Sequence, residues 1–113
     1  AKLATTHSAP PVAAVFEKKA VNAHSLFHNA AASEQNIAPL LLTLVDLQDP
    51  GNVGTLIRSG VAFGATGVLL TIDTVDPYSP KVIRASAGLV FRLPIVEASS
   101  QEFIQALADF SQN

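Results

Sequence analysis

The hydrophobic positions of this chain fall into short apolar runs that alternate with helical stripes. Leu40-Leu41-Leu42-Thr43-Leu44-Val45 is a nearly continuous apolar run, the pattern of a strand buried on both faces. After a turn-rich stretch, residues 46–51, the positions Val53, Leu56, Ile57, Val61 and Gly64 recur at helical spacing and predict a helix over 53–63. Asn52 stands where an N-cap belongs, and Pro50-Gly51 predicts a stop to any earlier helix. Gly64-Ala65-Thr66-Gly67 ends that helix, and Val68-Leu69-Leu70-Thr71-Ile72 is a second strand of the buried type. A polar loop follows. Ser79-Pro80 then predicts an N-cap and a first-turn proline for a helix that reaches about Ala87. Leu93-Pro94-Ile95-Val96 predicts a third short strand, its proline marking a strand start or an edge. Ser99 with Glu102 forms a capping box for a last helix, residues 101–110, whose apolar face is Phe103, Ile104, Leu107 and Phe110.

Strand, helix, strand, helix, strand, helix in this order implies an α/β fold: a parallel sheet with flanking helices and right-handed crossovers. Upstream the pattern is less regular. Residues 1–11 read as a small, polar, proline-bearing linker, and residues 12–16 as a short strand. Residues 20–32 are alanine-rich and predict a helix with Val21, Ser25 and His28 along one side. His24 and His28, at i and i+4, can share a helical face and bind a metal. No carboxylate or third histidine completes the set apart from the distant His7, so the plainer reading is an exposed helix with two histidines, and no metal is expected.

Composition narrows the class. The 113 residues suit one compact domain and exclude two independent cores. Apolar residues are 49% and charged residues 14%, against about 25% charged in a typical domain, which excludes disorder as the dominant state. A net charge of −2 excludes a polycation that binds nucleic acid by bulk charge. With no cysteine there are no disulfides, thiolate metal sites or cysteine nucleophiles. No apolar run approaches the roughly 20 residues of a membrane span, so no membrane contact is expected. The chain starts at Ala1 and stops at Asn113 just after a strongly helical stretch, and so reads as a fragment.

In open α/β sheets ligands bind beyond the carboxyl ends of the strands. The loop Asp46-Leu47-Gln48-Asp49-Pro50-Gly51-Asn52-Val53-Gly54 lies at such an end. Pro50-Gly51 makes a tight turn, and Gly51 and Gly54 let a backbone or a ligand come close. The start of the next helix favours an anion, and Arg58, six residues after Asn52, can supply a fixed cation to a phosphate. The plain alternative is an ordinary strand–helix loop with a surface arginine. The loop is neither Gly-Lys-Ser/Thr nor Gly-x-Gly-x-x-Gly, which excludes the two common nucleotide fingerprints. A second loop feeds the helix carrying Lys81 and Arg84; with Arg92 these are three of seven basic residues, and no acid lies between Asp76 and Glu97. This is a local positive patch that fits a few phosphates, or else a solvated helix face. Ser86 and Gly88 allow close approach. All three histidines lie before residue 29, so a Ser–His acyl-transfer pair is poorly supported.

The stretch from Leu44 through Asp49-Pro50-Gly51-Asn52-Val53-Gly54-Thr55-Leu56-Ile57-Arg58, with Ala62-Phe63-Gly64, strongly resembles the first motif of the SpoU/TrmH family, the SPOUT-class RNA ribose 2′-O-methyltransferases. Pro80-Lys81-Val82-Ile83-Arg84-Ala85-Ser86-Ala87-Gly88, with Phe91-Arg92-Leu93-Pro94-Ile95, resembles its second conserved region. The resemblance covers roughly residues 40–97. It makes residues 12–113 the N-terminal portion of a methyltransferase domain and residues 17–39 an insertion.

The resemblance implies an α/β-knot domain, here incomplete, that works as a homodimer on ribosomal or transfer RNA with S-adenosylmethionine as methyl donor, in the cytoplasm. It implies that Arg58 handles the target ribose and phosphate and helps activate the 2′-hydroxyl, which attacks the sulfonium methyl in line. Asn52 positions the loop or the substrate. Asp49, Pro50, Gly51 and Gly54 shape the active-site loop, and Lys81, Arg84, Arg92 and Ser86 face the RNA. The family's third motif, which forms the knot and most of the donor pocket, is missing after Asn113. The expectation is that these 113 residues alone bind the donor poorly, are inactive and tend to associate. Two other readings stay open: a non-catalytic RNA-binding or dimerisation module of the same fold, and a nucleotide-binding α/β protein that uses the 50–54 loop for phosphate.

Overall fold

A computed structural model describes residues 13–15, 17, 21–31 and 38–112. The elements in chain order are α1 (Ala23–Ala31), β1 (Leu41–Leu44), α2 (Pro50–Ala62), β2 (Gly67–Thr71), α3 (Pro80–Ala85), a 3-10 turn at Leu89–Phe91, β3 (Ile95–Ala98) and α4 (Ser100–Ser111). The expected linker, residues 1–11, lies outside the described residues, as does part of the 17–39 stretch. Of the strand expected over 12–16, residues 13–15 are described and lie in no strand.

Among the described residues the strands make one parallel sheet in the order β1-β2-β3, with Leu44 opposite Leu70 and Val68 opposite Ile95. This is the α/β fold that the pattern predicts. Every residue of β2 is buried. Successive side chains of a strand point to opposite faces. Val68 and Leu70 therefore join Leu44, Val53, Ile57, Val82, Val90 and Ile95 in the core under α2 and α3. Leu69 turns the other way, into a second core with Leu26 and Phe27 of α1, Val96 and Ala98 of β3, and Ala106 of α4. Burial of each such leucine or valine stabilises by about 1.5–3 kcal/mol.

Three expectations change. β1 is not buried on both faces: Leu41 and Leu42 are half-buried and Thr43 is exposed, because β1 has a described partner strand on one side only. Helix α1 is not simply an exposed helix with two histidines: Ala23, Leu26 and Phe27 turn inward, and His24 and His28 are exposed. Phe27 sets that choice by stacking on Phe110 at 5.2 Å and on Phe103 at 6.4 Å. Helix α4 accordingly points Phe103, Ala106 and Phe110 at the core, and leaves Ile104 64% and Leu107 44% exposed. Its capping box is formed as expected: Glu102 N–H donates to Ser99 Oγ at 3.2 Å, and Ser99 N–H donates to Glu102 Oε2 at 2.9 Å.

Helices α2 and α3 meet at Gly54. A Cβ on Gly54 would lie 2.4 Å from Ala85 Cβ and 2.8 Å from the Ser86 nitrogen, well inside contact distance. Only glycine allows this approach. Gly54→Ala must push α3 away or bend α2, at a cost of about 1–3 kcal/mol. Denaturation should show that loss in the transition midpoint; an unchanged midpoint would disprove the close contact.

Tyr78, the only tyrosine, is half-buried beside the α2–α3 core and stacks on Phe91 at 6.1 Å. Burial, then the carboxylates of Asp76 and Glu97, push its phenol pKa up from 10.0. The folded chain thus holds the phenolic proton more tightly than the unfolded chain does. This contribution is fully present below pH 10 and is lost as pH rises through the folded value. Alkaline titration followed by phenolate absorbance should find a midpoint above that of the denatured chain; coincident midpoints would refute it.

Candidate active site

Two loops leave the carboxyl ends of β1 and β2 side by side. Val75 N–H donates to the Leu47 carbonyl at 2.9 Å, and the Gln48 side-chain amide donates to the Asp73 carbonyl. The first loop leads into α2, the second into α3. The motif residues of the two conserved stretches are therefore built on adjoining loops and on the helices that meet at Gly54.

The start of α2 differs from expectation. The helix begins at Pro50 and its N-cap is Asp49, not Asn52. Asp49 has extended dihedrals, and its Oδ1 accepts from Gly51 N–H at 2.9 Å. Pro50 takes the first helical position, where its fixed φ fits and its missing N–H is no loss. The proline-glycine pair thus opens the helix. The chemistry of this end changes with it. Proline has no N–H, Gly51 N–H is taken by the Asp49 carboxylate, and Val53 N–H donates to the Asp49 carbonyl at 3.1 Å. Asn52 alone in the first turn keeps an N–H without a described partner. A carboxylate of the chain itself occupies the position that favours an anion. The helix end is therefore a poor phosphate cradle, which counts against the nucleotide-binding alternative.

Asn52 and Arg58 are both exposed. At 100° per residue Arg58 lies about 120° round α2 from Asn52, but within about 40° of Gly51 and Gly54. It therefore shares the side on which α3 packs. Helical side chains lean toward the N-terminus, which carries Arg58 back toward the loop. On α3, capped by Ser79 through a 3.4 Å bond from Val82 N–H, Lys81 and Arg84 are exposed at i and i+3. Arg92 is exposed just beyond the 3-10 turn. None of these four cations has an ion-pair partner among the described residues. The result is a run of basic side chains over α2, α3 and the turn that follows.

Ser86 does not join them. It is fully buried. Its hydroxyl donates to the Ile83 carbonyl at 3.0 Å and accepts from Val90 N–H at 3.3 Å. It ties the end of α3 to the 3-10 turn while Ala87 (φ 54°) and Gly88 (φ 76°) reverse the chain in left-handed conformations. The expected contact of Ser86 with RNA is corrected to a structural role, because no face of it is presented.

The two histidines part company. His24 Nε2 lies 3.4 Å from Asp109 Oδ2 and links α1 to α4, whereas His28 meets Phe110 edge-on at 6.2 Å. No set of three metal-ligating side chains occurs among the described residues, and no described helix is long and apolar enough to cross a membrane. An open depression of about 860 Å³ lies between α1, β3 and α4, lined by His24, Val96, Glu97, Gln101 and Gln105 among others. Its lining includes Val96 of the second core, on the α1–α4 face of the sheet. Sequence reasoning missed Asp46, Thr71, Thr74 and the Tyr78–Phe91 stack, which hold or flank the two loops. Threonines at and just after the carboxyl end of a strand were the available signal.

Comparison with known proteins bears on this geometry. Residues 39–112 match the SpoU rRNA Methylase family. The chain is 50% identical over 62 residues to the human protein rRNA methyltransferase 3, mitochondrial, which is 55% of this chain and 15% of that protein. Its fold resembles the crystal structure of an AdoMet-bound rRNA methyltransferase from Sinorhizobium meliloti, with a TM-score of 0.66, 33% identity, and coverage of 82% of this chain and 33% of that one. It also resembles an RNA 2′-O ribose methyltransferase, with a TM-score of 0.59, 42% identity, and coverage of 65% and 28%. The chain thus spans a third or less of the proteins it matches. One expectation is overturned here: the cytoplasmic location does not stand, since the human relative and its mouse and Xenopus counterparts are mitochondrial by name. Nothing in the spacing of residues encodes an address, so the pattern of the folded part could not have supplied it. With a match that runs through both conserved stretches and the helices carrying them, the chain belongs to the SpoU rRNA methylase family.

Proposed function

We propose that the whole protein transfers a methyl group from S-adenosylmethionine to a ribose 2′-hydroxyl of ribosomal or transfer RNA, as a homodimer, and that the α2–α3 surface is the RNA-facing part of the site. What supports this is that Arg58 stands within about 40° round α2 of Gly54, against which the end of α3 packs, while Lys81 and Arg84 are exposed on α3, within a chain whose residues 39–112 match the family.

The chemistry follows from the side chains. A ribose hydroxyl holds its proton tightly and needs help to lose it. The Arg58 guanidinium is always charged, so it is not the base. It stabilises charge that develops on the hydroxyl oxygen and holds a neighbouring RNA phosphate in a fixed geometry to accept the hydroxyl proton. Asn52 offers an exposed side-chain amide and an N–H at the same loop, suited to orienting the ribose. Lys81, Arg84 and Arg92 attract the flanking phosphates, which places the reacting hydroxyl and leaves sequence unread. Asp49, Pro50, Gly51 and Gly54 fix the loop and the close seating of α2 on α3.

S-adenosylmethionine would supply the methyl group. Among the described residues, the depression between α1, β3 and α4 is open to solvent and does not enclose a ligand of that size, so it does not fit the donor.

The test is methyl transfer from labelled donor to total RNA by the full-length protein, with nucleoside analysis. The expected product is a 2′-O-methyl nucleoside, and unmethylated or base-methylated RNA would overturn the reading. RNA binding without transfer would favour the non-catalytic module. Arg58→Ala should lower turnover about 10²–10³-fold with an unchanged melting temperature. Lys81→Ala and Arg84→Ala should each weaken RNA binding and lower the salt slope by about one. Equal slopes in all three proteins would make α3 a merely solvated face.

A further inference from the structure

The segment between β1 and α2 is held by side chains of the neighbouring loop. Asp46 has φ 51°, a left-handed conformation that residues with a Cβ rarely adopt. Such a conformation lasts only where the surroundings over-determine it. Here two hydroxyls do so. Asp46 N–H donates to Thr71 Oγ1 at 2.9 Å, and the Thr71 hydroxyl donates to Asp46 Oδ1 at 3.2 Å. Leu47 N–H donates to Thr74 Oγ1 at 3.3 Å. Thr74 Oγ1 lies 3.2 Å from Thr71 Oγ1 and 3.4 Å from the Leu44 carbonyl, to which it can donate. Two successive backbone N–H groups, just past the last paired residue of β1, thus end on threonine hydroxyls and not on the ladder.

We infer that Thr71 and Thr74 are positioning residues: their hydroxyls latch Asp46 and Leu47 and so set where Asp49 to Asn52 stand. This rests on the reading of that loop as ribose-facing. Thr71 is 8% exposed, Thr74 is half-buried, and both act through the segment they hold. The latch can fail without the fold failing. On one side of it Leu44 pairs with Leu70, and on the other Val53 is buried beneath α2. Loss of the hydroxyls therefore frees the segment between two fixed points.

The test uses the full-length protein with Thr71→Val, which keeps the shape and removes the hydroxyl, Thr71→Ser, which keeps the hydroxyl, and Thr74→Val. In the two valine variants kcat should fall about tenfold or more, since a misplacement of about 1 Å costs that much. KM for RNA and the melting temperature should change little, and Thr71→Ser should regain most of the rate. Amide exchange at Asp46 and Leu47 should quicken in the valine variants and stay slow in Thr71→Ser. Wild-type kcat in both valine variants, or a serine variant as slow as the valine one, overturns the inference. A wild-type protein that leaves RNA unmethylated sinks the ribose reading instead. The latch is then decided by exchange alone, where unchanged protection at Asp46 and Leu47 overturns it and faster exchange upholds it.

Discussion

Strand β2 has no side to give to water, and the architecture follows from that. Val68 and Leu70 need cover on one face and Leu69 on the other. A parallel sheet supplies that cover with crossover helices, so α2 and α3 close one side while α1 and α4 close the other. The same constraint decides where chemistry can occur. Both connections that leave the carboxyl ends of β1 and β2 must turn above the same edge before their helices descend, which brings two motifs separated by more than twenty residues into one place.

Within that place the division of labour differs from a simple anion-binding helix start. The Asp49 carboxylate takes the Gly51 N–H and already sets a negative charge at the first turn of α2, so that only the Asn52 N–H stays open before any ligand arrives. Negative charge on a ligand must then be met by side chains. Arg58 and the cations of α3 stand free of the acids around them, whereas the one described ion pair, His24 with Asp109, lies on the opposite side of the sheet. Cations without internal partners keep their reach for something external, and that asymmetry is why the RNA-facing site is proposed on the α2–α3 side.

Most of the layout was legible in the pattern. The fully apolar run of β2, the Ser79-Pro80 start and the Ser99–Glu102 box each state their structure locally, because burial period and capping chemistry involve only neighbours in sequence. The start of α2 was misread because Pro50-Gly51 is ambiguous in isolation; only the Asp49 side chain, which reaches two residues ahead, decides that the pair opens the helix. Ser86 was misread because a serine among basic residues looks available, whereas Val90 and Ile83 claim its hydroxyl in three dimensions. The faces of α1 and α4 depend on the Phe27–Phe110 stack, a contact between distant parts of the chain that no local period reveals. The roles of Arg58 and Asn52 came from the family motif, not from any periodicity.

Glycines 54 and 88 illustrate two kinds of intolerance. At Gly54 the obstacle is volume, for the space that any Cβ would take is filled by Ala85 and Ser86. At Gly88 the space is open and the obstacle is handedness, a φ of 76° that suits a mirror-image residue as well as it suits glycine. A D-alanine at 88, placed by chemical synthesis, would keep the handedness of the turn after α3 and stiffen the unfolded chain, whereas at 54 handedness is not the obstacle and an L side chain meets Ala85 and Ser86.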